Sequence, residues 1–107
     1  MPPPTRMTFF RRLLPLVTSG QKTITIRDRS ESHYQPGTTV RVYPLDDPDE
    51  FTCSLYIESV QPISWNDLDE THAQQEGMTL PELVKLLREI YPHTDELFII
   101  SFSLVKP

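Results

Sequence analysis

The run from Gly20 to Asp28 places two cations and a hydroxyl beside a glycine turn. Its sequence, Gly-Gln-Lys-Thr-Ile-Thr-Ile-Arg-Asp, carries Lys22, Thr25 and Arg27 on a short β-branched segment. In a cleft, these side chains suit the binding of a small charged ligand. On an edge strand they are simply the solvent-facing residues. The run alone leaves both interpretations open.

Glu76 follows His72 by one helical turn, on a stripe that also contains Leu68. Two side chains at this spacing can hold one metal ion, but the sequence gives no reason for His33 or His93 to complete a zinc site. The alternative is a solvated helix end in which His72 makes a local hydrogen bond. We therefore expect no metal site.

A polar loop, Ser30-Glu31-Ser32-His33-Tyr34, supplies donors, acceptors and an aromatic face suited to a nucleobase. Many ordinary loops have the same composition. The sequence contains no Gly-rich phosphate loop, no Gly-x-Ser-x-Gly elbow and no Cys/His nucleophile pattern. A hydrolase built on this chain therefore needs an unusual nucleophile.

Charge is distributed unevenly along the 107 residues, whose formal net charge is −5. Residues 1–41 contain seven Lys or Arg against two Asp or Glu, whereas the remainder contains three basic and thirteen acidic residues. The basic pole can attract a nucleotide, but the acidic remainder opposes binding of an extended polyanion. A small charged ligand is therefore expected rather than a nucleic-acid duplex.

Length and composition indicate one globular domain with a modest core. The single cysteine, Cys53, excludes an internal disulfide and a Cys-x-x-Cys redox pair. No apolar run approaches the ~18 residues of a membrane span. We expect a cytoplasmic protein without a membrane partner.

Periodicity and turn residues predict three helical segments and four strands. A helix begins at Thr8 and is interrupted at Pro15, a second begins at Ser64 and ends at Gly77, and a third is capped by Thr79 and Glu82. The predicted strands are residues 22–27, 39–43, 51–63 with a bulge near Ser59, and 96–104.

The predicted domain covers residues 8–107, and residues 1–7 form a flexible Pro-rich N-terminus because consecutive prolines provide no amide donors. Strands outnumber helices, and the helices interrupt the strand order twice. This arrangement predicts an α+β fold, a small mixed barrel or curled sheet with short helices at its ends.

Several of these motifs, in this order, resemble the small bacterial ASCH-domain proteins that act as N(4)-acetylcytidine amidohydrolases. The matching segments are Thr8-Phe9-Phe10, the run from Gly20 to Asp28, Ser30-Glu31-Ser32-His33, His72-Ala73-Gln74-Gln75-Glu76, Met78-Thr79-Leu80 and Ile90-Tyr91-Pro92. The resemblance is nearly full length. It implies a PUA-like β-barrel and removal of the acetyl group from the exocyclic amine of acetylated cytidine, which gives cytidine and acetate.

The resemblance also implies residue roles, with Lys22 as proton acceptor, Thr25 as nucleophile and Glu76 as proton donor. The implied reaction needs no metal or other cofactor. The expected substrate-binding residues are Arg27, Ser30, His33 and Tyr34.

This chemistry sets a geometric requirement on Lys22, which can act as a base only when neutral. Strict strand alternation puts Lys22 and Thr25 on opposite faces, so the chain must turn at Lys22 and begin its regular strand just afterwards. Burial and the nearby charge of Arg27 both lower the pKa of a lysine.

Two other functional classes stay open from the sequence. A PUA-like barrel can be a non-catalytic RNA-binding module. The basic residues in positions 1–41 favour this interpretation, and the thirteen acidic residues beyond residue 41 disfavour it. A structural or regulatory interaction protein is the third possibility, favoured only if no cleft forms. The hydrolase interpretation predicts a monomer acting on a small acetylated nucleoside, with at most weak contact to RNA.

Overall fold

A computed structural model describes residues 2–106 and contains one five-stranded sheet with short helices packed against it. The strands are β1 (Arg6–Phe9), β2 (Ile24–Arg27), β3 (Thr39–Pro44), β4 (Cys53–Ile63) and β5 (Leu97–Val105). The helices are α1 (Leu14–Thr18), α2 (Glu70–Gln75) and α3 (Leu80–Ile90), with 3-10 turns at Arg11–Leu13, Arg29–Glu31 and Trp65–Asp67. The predicted α+β class is confirmed.

The strand order is β1-β3-β4-β5-β2, so β1 and β2 are the two edges. Strand β1 runs parallel to β3, and the other pairs are antiparallel. The two edges lie close together, since the Arg27 guanidinium in β2 donates a hydrogen bond of 2.7 Å to the Thr8 carbonyl in β1, and the sheet is therefore curled. This curl encloses the candidate site.

Two apolar clusters lie on opposite faces of the sheet and stabilise the curl. Strands β1, β3, β4 and β5 and helix α1 form the first cluster, which includes Phe9 and Ile100. Strands β2 and β5 and helices α2 and α3 form the second, which includes Ile24, Ile26 and Leu97. Residues of β5 therefore alternate between the two clusters, with Leu97 in the second and Ile100 in the first.

The N-terminal strand differs from the prediction. Thr8 lies in β1 and caps no helix, because the register of β1 with β3 pairs Thr8 with Tyr43. Strand β1 begins at Arg6, within the segment predicted as the N-terminal tail. Residues 1 and 107, the outer limits of the predicted N-terminus and domain, lie outside the described residues.

The observed helix starts agree with the prediction for α3 but not for α2. The predicted break at Pro15 is confirmed, since the 3-10 turn ends at Leu13 and α1 accommodates Pro15 in its first turn. Helix α3 has the predicted capping box of Thr79 and Glu82. Helix α2 begins later than predicted, because Asp69 rather than Ser64 is its N-cap. Among the described residues, no helix is long and apolar enough to cross a membrane.

Candidate active site

A cavity of about 120 Å³ lies where β1, β2, the end of α2 and the last turns of α3 meet. Its outer wall is mainly apolar and includes Phe10, Leu86 and Ile90. Its inner wall carries all four of the buried polar or charged side chains found among residues 2–106: Lys22, Thr25, Arg27 and Glu76. Buried polar groups at one cavity wall are typical of a functional site.

Lys22 enters this cavity because the chain turns just before β2. Gly20 adopts φ +82°, and the Lys22 amide donates to the Leu16 carbonyl at 2.9 Å. The next amide, of Thr23, donates to the Gln75 carbonyl at 2.7 Å, and regular pairing begins at Ile24. Lys22 thus lies outside the strand, so alternation does not separate it from the cavity.

The Lys22 ammonium group lies in an unfavourable environment for a charge. Its side chain is 2% exposed, and Nζ lies 5.7 Å from the centre of the Phe9 ring. Burial lowers the pKa of Lys22 to about 7, and the positive charge of Arg27 lowers it in the same direction. Both effects favour the neutral amine over the ammonium form of Lys22.

Glu76 lies against Lys22 at the C-terminal end of α2. Its carboxylate Oε1 contacts Lys22 Nζ and accepts no other hydrogen bond among the described residues. Gly77 follows with φ +76° and ends the helix, and a Cβ there would lie 3.2 Å from the Leu16 side chain. The solvated-end interpretation is wrong for Glu76, which is 2% exposed.

Thr25 and Arg27 extend from the same face of β2. Arg27 Nε donates to Thr25 Oγ1 at 3.0 Å, and the guanidinium carbon lies 5.2 Å from the centre of the Phe9 ring. Ile24 and Ile26 point to the opposite face, as the alternation predicts. Both polar side chains are buried, so the solvent-facing interpretation of this run is wrong for Thr25 and Arg27.

Two cavity residues were missed as site residues by the sequence analysis. Glu31 Oε1 accepts from Arg27 NH1 at 2.9 Å, and Glu31 Oε2 accepts from the Tyr91 hydroxyl at 2.8 Å. Glu31 was present in the predicted polar loop, four residues after Arg27. Tyr91 directly follows α3, and its contact with Glu31 spans sixty residues, which no local pattern reveals.

The remaining predicted substrate-binding residues do not line this cavity. Ser30 is exposed and donates to Asp28 Oδ1 at 2.6 Å, and His33 is exposed. The Tyr34 hydroxyl donates to the Arg6 carbonyl at 2.8 Å. The 3-10 turn of this loop directs Glu31 towards the cavity and leaves its neighbour Ser30 on the surface.

His72 and Glu76 do not converge on a common point. The His72 ring caps α2, since its Nδ1 accepts the backbone amide of Asp69 at 3.2 Å, whereas the Glu76 carboxylate faces Lys22. Residues 2–106 contain no group of three or more His, Cys, Asp or Glu side chains arranged to hold a metal ion.

Comparison with known proteins gives a consistent result. The profile of the ASCH domain family matches residues 5–106. A relative from Vibrio parahaemolyticus serotype O3:K6 is 53% identical over 103 residues, which cover 96% of this chain and 95% of the relative. A relative from Vibrio vulnificus strain YJ016 is 50% identical over 105 residues, which cover 98% and 100%. Both are named N(4)-acetylcytidine amidohydrolase.

Solved structures resemble the fold at low identity. The ASCH domain from Lactobacillus crispatus JV V101 has a TM-score of 0.76 and 16% identity, covering 94% of this chain and 79% of that one. ASCH from Zymomonas mobilis has a TM-score of 0.72 and 13% identity, covering 95% and 70%. At this identity the similarity establishes the fold alone.

Proposed function

The chain belongs to the ASCH domain family, and from this premise we propose that it hydrolyses N(4)-acetylcytidine to cytidine and acetate. One observation carries the proposal on the structural side: Lys22, Thr25 and Glu76 line one buried cavity. Relatives that match almost the whole chain are named for this activity.

The size of the cavity suits the reacting end of this substrate. About 120 Å³ is less than the ~300–1,000 Å³ of pockets that enclose a whole drug-sized ligand. The acetyl amide and the adjoining edge of the base enter the cavity, and the ribose stays at its mouth. The apolar wall around Phe10 and Ile90 excludes water from the reacting groups.

The first chemical step is attack by Thr25 on the acetyl carbonyl. A threonine hydroxyl is a weak nucleophile unless a base removes its proton during the attack. Neutral Lys22 accepts this proton, and its lowered pKa makes the neutral amine available near pH 7. The product of the attack is a tetrahedral intermediate bonded to Thr25 Oγ1.

The second step breaks the amide bond. Glu76, in its protonated form, donates a proton to the departing exocyclic amine, and cytidine leaves. Water then attacks the acetyl-threonine ester: the Glu76 carboxylate accepts a proton from the water, and the Lys22 ammonium returns a proton to the departing Thr25 oxygen. This releases acetic acid, which loses a proton to solvent to give acetate, and it restores neutral Lys22, protonated Glu76 and the Thr25 hydroxyl. In total one water is consumed.

Because Lys22 and Glu76 are in contact, transfer of one proton between them produces both the general base and the general acid. Moving a proton from the Lys22 ammonium to the Glu76 carboxylate converts an ion pair into a neutral amine and a carboxylic acid. Water is largely excluded from both groups, and a dry environment favours the neutral pair over the charged pair. The neutral pair contains the base for Thr25 and the acid for the leaving amine.

A turnover assay tests this function. The purified chain is incubated with N(4)-acetylcytidine, and cytidine and acetate are quantified by chromatography over time. We expect the two products in equal amounts and at a rate proportional to protein concentration. A folded chain that releases no cytidine contradicts the proposal.

Replacing Glu76 with glutamine should slow turnover by roughly 100-fold or more, the usual scale for losing a general acid. The amide keeps the size of the side chain but has no proton of suitable acidity for the leaving amine. The assay measures kcat, with Gln75→Glu as a control that changes charge at the exposed neighbouring position. An unchanged kcat in Glu76→Gln would remove the proton-donor role.

RNA binding without catalysis is the second candidate function, and the charge distribution disfavours it. Arg11 pairs with Asp46 and Glu50, and Arg29 pairs with Glu96, so acidic side chains occupy part of the basic pole. Salt-sensitive binding of unmodified RNA without turnover of N(4)-acetylcytidine would favour this candidate.

The proposed enzyme acts as a cytoplasmic monomer and uses no cofactor. The three proposed catalytic residues come from one chain and meet in one cavity. The single cysteine is compatible with a reducing compartment.

A further inference from the structure

We propose that Tyr91 and Glu31 form a clamp that holds the Arg27 guanidinium against Thr25 and thereby orients the Thr25 hydroxyl. This inference rests on the proposed function, because it assigns positioning residues to the same reaction. Neither Tyr91 nor Glu31 needs to touch the substrate in this role.

Each of the three nitrogens of the Arg27 guanidinium donates a hydrogen bond. NH1 donates to Glu31 Oε1 at 2.9 Å, NH2 donates to the Thr8 carbonyl at 2.7 Å, and Nε donates to Thr25 Oγ1 at 3.0 Å. Two partners thus lie outside β2 and hold the planar group in one orientation, which fixes the third donor on Thr25.

Tyr91 fixes the second oxygen of the Glu31 carboxylate. It follows α3 directly, at the position that caps this helix, and its ring packs in the second apolar cluster. Burial raises the pKa of Tyr91, and its hydrogen bond to Glu31 raises it further, so the hydroxyl keeps its proton and donates at 2.8 Å. Without this bond, Glu31 is held by Arg27 alone among the described side chains.

The orientation matters for the attack. A hydroxyl has one proton, and an oxygen that accepts from Arg27 Nε must direct its own proton elsewhere. This leaves the Thr25 proton free to reach the base, and it places a positive donor on the oxygen that becomes negative as the proton leaves. A loosened guanidinium loses both effects.

The test compares Tyr91→Phe with Tyr43→Phe. Tyr43 is a buried tyrosine on β3 whose hydroxyl accepts a hydrogen bond from Arg41 at 3.1 Å, outside the cavity. Each variant keeps its ring and loses one hydroxyl. We expect Tyr91→Phe to lower kcat about tenfold, the scale of one hydrogen bond to a charged group, while KM for N(4)-acetylcytidine stays the same. Tyr43→Phe should retain the kcat of the unmodified chain.

The pH profile separates the clamp from a merely loosened cavity. If water enters, Lys22 is less desolvated and its pKa rises, so the rising limb of the rate moves to higher pH. If the clamp acts on Thr25, the maximal rate itself falls, whereas water entry alone moves the limb and leaves the maximal rate unchanged. In the double variant Tyr91→Phe/Glu31→Gln, we expect no greater loss than in Glu31→Gln alone.

Three outcomes overturn the clamp: an unchanged kcat in Tyr91→Phe, a loss confined to KM, or a limb displaced to higher pH with an unchanged maximal rate. An inactive unmodified chain would instead refute the proposed function, so the two failures are distinguishable. Thermal unfolding of each single variant checks that the fold is retained.

Discussion

Replacing Thr25 with valine should abolish acetyl transfer, with a loss in kcat on the order of 10⁴-fold or more. Valine keeps the branched shape and the packing of the side chain but has no oxygen to form the acyl ester. The loss follows from removal of the reacting atom, and the turnover assay with N(4)-acetylcytidine measures it directly.

The same substitution has a structural cost that the sequence did not indicate. Arg27 Nε donates to Thr25 Oγ1 inside the protein, so valine leaves one buried donor without an acceptor. This reduces the free energy of unfolding by about 1–3 kcal/mol. Thr23→Val, at an exposed position two residues away, is the matched control and should retain activity. A Thr25→Val chain with normal turnover would rule out the covalent mechanism.

Replacing Lys22 with arginine should lower kcat by about 10³-fold, within the range for loss of a general base. Arginine keeps the positive charge beside Glu76 but cannot give up its proton at accessible pH. The substitution therefore separates the charge of Lys22 from its ability to accept a proton. If Lys22 only attracts the substrate, the loss appears mainly in KM.

Turnover and binding are measured on the same Lys22→Arg protein. We expect N(4)-acetylcytidine still to bind, as detected by equilibrium dialysis, while cytidine release collapses. Lys85→Arg is the control, because Lys85 is exposed on α3 and lies outside the candidate cavity. Near-normal kcat in Lys22→Arg would refute the base assignment even if the chain is the amidohydrolase proposed above.

Local patterns predicted the elements whose signals lie within one segment. Helix α3 has the predicted capping box, whose two residues, Thr79 and Glu82, are three positions apart. The bulge of β4 between Ile57 and Ser59 shows as a phase change in the alternation. Such features depend on neighbours in sequence and can be read there.

The structure differs from the prediction where an element depends on contacts with residues distant in sequence. Strand β1 has only four residues, and its hydrogen bonds to β3 come from residues more than thirty positions away. The burial of β1 alternates, with Met7 and Phe9 buried, but the strand is short and directly precedes the helical segment that begins at Arg11, so the prediction joined part of it to that helix. The predicted helix start at Ser64 instead precedes the 3-10 turn Trp65–Asp67, and Asp69 caps α2.

In the candidate site, too, local motifs identified some residues, and others depend on tertiary structure. Sequence motifs identified Lys22, Thr25, Arg27 and Glu76, all of which line the cavity. They could not indicate which loop residue faces inward, because that depends on the 3-10 turn at Arg29–Glu31. Tyr91 reaches Glu31 only after α3 packs on the sheet, so its place at the cavity is a tertiary feature.

The most direct test of the account is the pH dependence of kcat/KM for N(4)-acetylcytidine, which reports the pKa of essential groups in the free enzyme. Protonated Lys22 cannot act as a base, and its pKa is lowered to about 7 by burial and then by Arg27. We therefore predict a low rate in acid that rises through about pH 7 and falls again at higher pH, where Glu76 loses the proton that it must donate. A rate independent of pH between about 5 and 9, or one that rises only near pH ~10 as an ordinary lysine loses its proton, would contradict the account.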